Sequence, residues 1–159
     1  MKRGDVLAVT TNSTFGRAIS YYTKEPYNHI AVAKNDKEIF DFCLNSKEIF
    51  SIDDYFSHKS IEKIDVIETY FSEEVMRHYE HQFQLAPYSF SHINRLREKI
   101  LLGRDQEDIS RWGSTTCCSL YLRAHEKAKT DLARGFPYHN SQITPGGLVV
   151  LLQHGRLGI

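Results

Sequence analysis

An excess of charge of one sign is missing from this sequence: 20 Lys and Arg stand against 20 Asp and Glu, so the formal net charge is zero. A general nucleic-acid or anionic-membrane binder needs a basic surplus, and nothing here supplies one. Cysteine is scarce, with three residues. Three thiols cannot build a disulfide framework, and an odd count leaves at least one free. Long apolar runs are absent as well. Val6 to Val9, behind Met1-Lys2-Arg3 and Asp5, is too short for a signal-peptide core. Leu148 to Leu152, the longest run, cannot span a bilayer. These absences predict no transmembrane segment and a reducing, cytoplasmic setting. No linker or low-complexity stretch divides the 159 residues, which suit a single domain over 1–159. Lys-Glu-Ile-Phe recurs at 37–40 and 47–50, too short a unit for a repeat architecture. A glycine-rich phosphate cradle and a Gly-x-Ser-x-Gly motif are missing too.

What is present is an ordinary globular composition, 41% hydrophobic and 12% aromatic, enough to fill one core. Short apolar or alternating runs predict strands at Val6–Val9, His29–Ala33, Glu38–Phe42, Glu48–Ile52 and Ile61–Thr69. A helix follows the caps Asn12-Ser13-Thr14, with Phe15, Ala18, Ile19 and Tyr22 on one face, and ends before Pro26. Ser72 with Glu73 and Glu74 opens another, running to about Gln84. A third is expected over His92–Leu102, with Gly103 as its stop. Thr144-Pro145 opens a short helix that Gly155 ends. Strands therefore precede most helices, the pattern of an α+β domain with an antiparallel sheet and helices packed on one face.

One helix start carries chemistry. Apolar residues at 117, 120, 121, 124 and 128 mark a helix face, with Thr115 or Thr116 as N-cap. Cys117 and Cys118 then fall in its first turn, where unpaired N–H groups and the helix dipole stabilise a thiolate. A thiol nucleophile needs a base, and the base needs an orienter. His29 begins an otherwise apolar strand, and Asp41 lies on the next one. A three-residue loop, Lys34-Asn35-Asp36, puts the two directly across from each other on one face. A two-residue turn at Asn35-Asp36 puts them on opposite faces. His78 and His81 lack a third metal ligand and read as a solvated helix face. Cys43, just past the third strand, reads as core or edge. No metal or other cofactor is expected.

The order Gly4-Asp5-Val6-Leu7, Asn28-His29-Ile30, Asp41, Pro87-Tyr88, Cys118-Ser119-Leu120 and Thr144-Pro145 resembles the circularly permuted NlpC-type papain-like hydrolases, a group that includes YiiX- and YaeF-like proteins. The likeness spans Gly4 to about Leu148 in short pieces. It implies a permuted papain-like fold with the catalytic cysteine at a helix N-terminus. Carried onto this chain, it implies Cys118 as nucleophile, His29 as base and Asp41 as third member, with Asp standing where Glu is more usual. Cys118 is preferred because Ser follows the cysteine in the family pattern; Cys117 then reads as a packing residue. Asn28, Tyr88 and Trp112 are the candidates for substrate contact.

The implied activity is hydrolysis of an amide, peptide or ester bond through an acyl-enzyme, on a peptide, peptidoglycan-like or acyl substrate. Two alternatives stand beside it. One is a lipid acyltransferase or thioesterase of the lecithin:retinol acyltransferase-like kind, whose "NCEHF" motif the chain does not match. The other is a binding module on the same fold with an idle thiol.

Overall fold

A computed structural model of the chain describes residues 1–43, 47–69, 71–86, 116–130, 132 and 143–155. Five strands, β1 (Val6–Thr11), β2 (His29–Ala33), β3 (Glu38–Phe42), β4 (Lys47–Ser51) and β5 (Ile61–Ile67), form one sheet in the order β4-β3-β2-β1-β5. Every neighbouring pair is antiparallel. The described helices are α1 (Thr14–Thr23), α2 (Ile52–Phe56), α3 (Glu73–Leu85), α4 (Cys117–Lys127) and α5 (Pro145–Gly155). The α+β class and the antiparallel sheet expected from the sequence are both present. The helix expected at His92–Leu102 lies outside the described residues.

Central strand β2 is buried along its whole length. One face of the sheet, with Val6, Ala8, Ile30, Val32, Phe40, Phe42 and Ile67, packs into a core with α3, α4 and α5. The other face, with Leu7, Val9, Ala31, Ala33 and Ile39, is closed by Tyr55 of α2. The expectation of cover on one face therefore needs correction. Val6–Val9 and Ile30–Ala33 are continuous apolar runs, and such runs, unlike alternating ones, bury both sides of a strand. Helix α2 was not expected at all. Ser51 caps it by accepting the Asp54 N–H at 3.1 Å, and Asp53 and Asp54 occupy its first turn. Ile52, which reads as the end of a strand, is its first residue.

Caps fix the other helix starts. Ser13 accepts from the Gly16 N–H and Ser72 from the Val75 N–H. Helix α1 stops at Lys24, whose φ of 60° is left-handed, two residues ahead of Pro26. Thr116 and Ser119 form a reciprocal capping box on α4. The start of α5 is tied to the end of α1: the Glu25 carboxylate accepts from Thr144 Oγ1 at 2.7 Å and from the Gly146 N–H at 3.1 Å.

Helix α4 also carries a buried histidine into the core. His125 packs edge-on to Phe71, ring centroids 5.0 Å apart, and its buried Nε2 has no hydrogen-bond partner among the described residues. Burial pushes its pKa down to about 4. The folded chain thus refuses a proton that the unfolded chain accepts near 6.5. Stability from this residue is complete above about pH 6.5, falls as pH drops towards 4, and levels off below; the shift corresponds to roughly 3 kcal/mol. Urea unfolding of His125→Phe should show a flatter stability profile than the parent between pH 6.5 and 4. An unchanged slope would mean that other groups set the acid response.

Candidate active site

The β2–β3 hairpin decides which side chains meet at the end of the central strand. Its pairs are Ala31 with Asp41, Val32 with Phe40 and Ala33 with Ile39. The Lys34 N–H donates to Glu38 O at 2.8 Å, so the loop is residues 35–37. Asn35 sets this turn by accepting from the N–H groups of Lys37 and Glu38, each at 2.8 Å. The loop is odd, as the His29–Asp41 pairing requires, but lies one residue later than expected. Asp41 therefore faces Ala31, and His29 reaches Asp41 diagonally instead of directly across. Continuing the register places Cys43 opposite His29.

His29 Nε2 and Asp41 Oδ1 share a short hydrogen bond, with both residues more than nine-tenths buried. Burial is the largest influence on the imidazole and favours its neutral form. The charges of Asp41, Cys43 and Cys117 together outweigh it and hold His29 well above its ordinary value. Burial likewise pushes the Asp41 carboxyl up. The His29 charge, with hydrogen bonds from His29, Cys43 and Tyr55, brings it below the usual carboxylate range. The two form an ion pair whose remaining acceptor capacity is met by a buried tyrosine hydroxyl from α2. Cys43, half-buried, sets its sulfur 3.3 Å from Asp41 Oδ1, and burial raises its own pKa.

Both helix cysteines are buried, and their sulfurs lie 3.8 Å apart. They differ in what surrounds them. A hydrogen bond from the Cys118 thiol is the largest influence on Cys117. The His29 charge, a hydrogen bond with His29 and one from the Ile30 backbone add to it, overcome burial, and bring the Cys117 pKa well below its ordinary value. Cys118 is pushed well above by burial, by its hydrogen bond to Cys117 and by the charges of Cys117 and Glu25. Of the two helix cysteines, Cys117 is therefore the one whose thiol meets His29. The signal lay in the helix periodicity. Cys117, the first member of the apolar stripe that reads as packing, has the Ile30 backbone and His29 of β2 as partners. It consequently arrives at the strand end where His29 sits.

Asn28 is fully occupied within the fold. Its Oδ1 accepts from the Thr11 N–H at 2.9 Å and the Thr11 hydroxyl at 3.1 Å; its Nδ2 donates to Thr11 O at 2.9 Å and Ser20 Oγ at 3.1 Å. That exhausts an amide's ordinary capacity. Asn28 is thus a clamp that ties the start of β2 to β1 and α1, and it also lines the cavity beside His29 and Asp41. Tyr88 and Trp112 lie outside the described residues. A cavity of about 380 Å³ opens beside the pair, with His29, Asp41 and Cys43 on its wall and Phe15, Ile19 and Phe50 among its apolar lining. Neither helix cysteine contributes to that wall.

A buried ion pair in contact with a thiol at a helix start has the parts for nucleophilic attack on an acyl carbon. A search against protein-family models matches none, and a search of curated proteins matches no entry.

Replacing Asn28 by Ala leaves the Thr11 backbone N–H and C=O without their partners. Thr11 is half-buried, so each lost hydrogen bond is worth about 0.5–1.5 kcal/mol, and Asn28→Ala should lower unfolding stability by at least about 1 kcal/mol in urea melts. A loss under half of that would remove the clamp from the account of how His29 is placed.

Proposed function

We propose that the chain is a cysteine hydrolase with a permuted papain-like fold, with Cys117 as nucleophile, His29 as base and Asp41 as the group that orients the base. One spatial observation carries the reading: a buried histidine is held by a carboxylate while it contacts the thiol of the first residue of a capped helix. A histidine, then an acidic residue, then a cysteine at a helix start is also the order that the resemblance to permuted NlpC-type hydrolases implies, with Cys118 as the cysteine it points to.

The chemistry follows from the arrangement. Asp41 engages Nε2 of His29, which leaves Nδ1 to exchange a proton with Cys117. Cys117 is the first residue of α4, and Leu120 is the first residue to donate into the helix ladder, to Thr116 O at 2.9 Å. The N–H groups of Cys117 and Cys118 precede that ladder and are placed to receive the oxyanion of a tetrahedral intermediate. The thiolate attacks the carbonyl carbon of an amide, peptide or ester. His29 protonates the leaving amine or alcohol; it then takes a proton from the water that attacks the acyl-enzyme, and the Cys117 sulfur leaves as the acid is released.

Iodoacetamide labelling at about pH 6, mapped by mass spectrometry, tests the assignment. Cys117 should label first, and His29→Ala should slow it at least about 100-fold. Equal, slow labelling of all three cysteines would sink the catalytic reading in favour of an inert binding module. Faster labelling of Cys118 would restore the other cysteine. A screen against peptidoglycan fragments, isopeptides and acyl esters then identifies the substrate; turnover should vanish in Cys117→Ala and survive in Cys118→Ala.

A further inference from the structure

His29 and Asp41 have a third neighbour for which the hydrolase chemistry has no use. Cys43 follows Asp41 by two residues and so lies on the same face of the strand. Its sulfur is 3.3 Å from Asp41 Oδ1 and 3.7 Å from His29 Nε2. One donor atom from each of the three residues falls within 4.8 Å of the other two. All three border the 380 Å³ cavity, which gives an entry path that does not pass Cys117.

We propose that His29, Asp41 and Cys43 bind a borderline-soft divalent cation, with Zn²⁺ the best fit, and that a filled site holds the hydrolase off; this second half rests on the function proposed above. Zinc takes nitrogen, oxygen and sulfur donors at about 2.0–2.3 Å in tetrahedral geometry, which sets the donors roughly 3.3–3.7 Å apart. The two Cys43 distances already match that spacing, and the short His29–Asp41 hydrogen bond has to open as the ion takes the place of its proton. The imidazole and thiolate donors select against Mg²⁺ and Ca²⁺, which prefer all-oxygen sites. The ion displaces one proton from Nε2 of His29 and one from the Cys43 thiol, while the Asp41 carboxylate is already ionised. Two positive charges then meet two negative ones, so the buried cluster is neutral. The fourth position faces the cavity and takes water.

Occupation has a direct chemical consequence. With Nε2 bound to metal, His29 keeps its remaining proton on Nδ1. It can then neither accept the Cys117 proton nor stand as an imidazolium beside the thiolate.

The test titrates the full chain with Zn²⁺ against a chromophoric chelator, and with Co²⁺ as a spectroscopic probe. The wild type should take up one equivalent and show a thiolate-to-cobalt charge-transfer band. Cys43→Ser and Cys43→Ala should lose the band and bind Zn²⁺ at least about tenfold more weakly; Cys118→Ala should keep both. Retention of the band in the Cys43 variants, its loss in Cys118→Ala, or no uptake by the wild type overturns the site. Iodoacetamide labelling of Cys117 with and without Zn²⁺ separates the two halves. Fast labelling that a filled site fails to slow overturns the off-state. Slow labelling without metal, in a protein whose cation site fills as expected, overturns the hydrolase and supports the cation site.

Discussion

A histidine can stay charged inside a protein only where a counter-charge is held against it, because the interior penalises a lone ion by several kcal/mol. The His29–Asp41 pair meets that condition at the end of the most buried strand, and the surrounding structure is arranged to keep it. Strand parity puts both side chains on one face. Parity in turn depends on the loop of residues 35–37, which the Asn35 side chain fixes. Removing one residue from that loop would send Asp41 to the face under α3, α4 and α5, away from His29. On the other side, α2 sets the Tyr55 hydroxyl against the carboxylate, and β1 with Asn28 holds the strand end that carries His29.

Much of the fold was legible in the amino-acid order, because the elements that matter are dictated locally. Val6–Val9 and Ile30–Ala33 can only be buried strands, and Ser13, Ser72 and Thr116 are caps by residue type. Residues sharing a face were legible too, given an odd loop. What escaped depends on contacts between distant segments. The loop position shifted by one because Lys34 and Glu38, which pair by backbone and by a 2.8 Å side-chain ion pair, belong to the ladder and not to the turn. Helix α2 escaped because five residues hold too little periodicity to read, although the unbroken apolar strands already required a second cover. Asn28 read as a site residue because it precedes His29, and it does line the cavity there; its four hydrogen bonds to Thr11 and Ser20 are a tertiary fact that the order of residues did not carry.

The choice between two adjacent cysteines shows how the site draws on the rest of the chain. Two buried sulfurs 3.8 Å apart cannot both ionise, since the second negative charge would face the first at short range in a poor solvent. One must keep its proton and can then donate it as a hydrogen bond to the other. His29 and the Ile30 backbone favour charge on Cys117. Glu25 opposes it on Cys118. Glu25 is itself held where it is by Thr144 and the Gly146 N–H at the start of α5. The Thr144-Pro145 pair therefore does more than begin a helix. It anchors a carboxylate that adds, behind burial and the Cys117 neighbour, to the influences that keep the proton on Cys118.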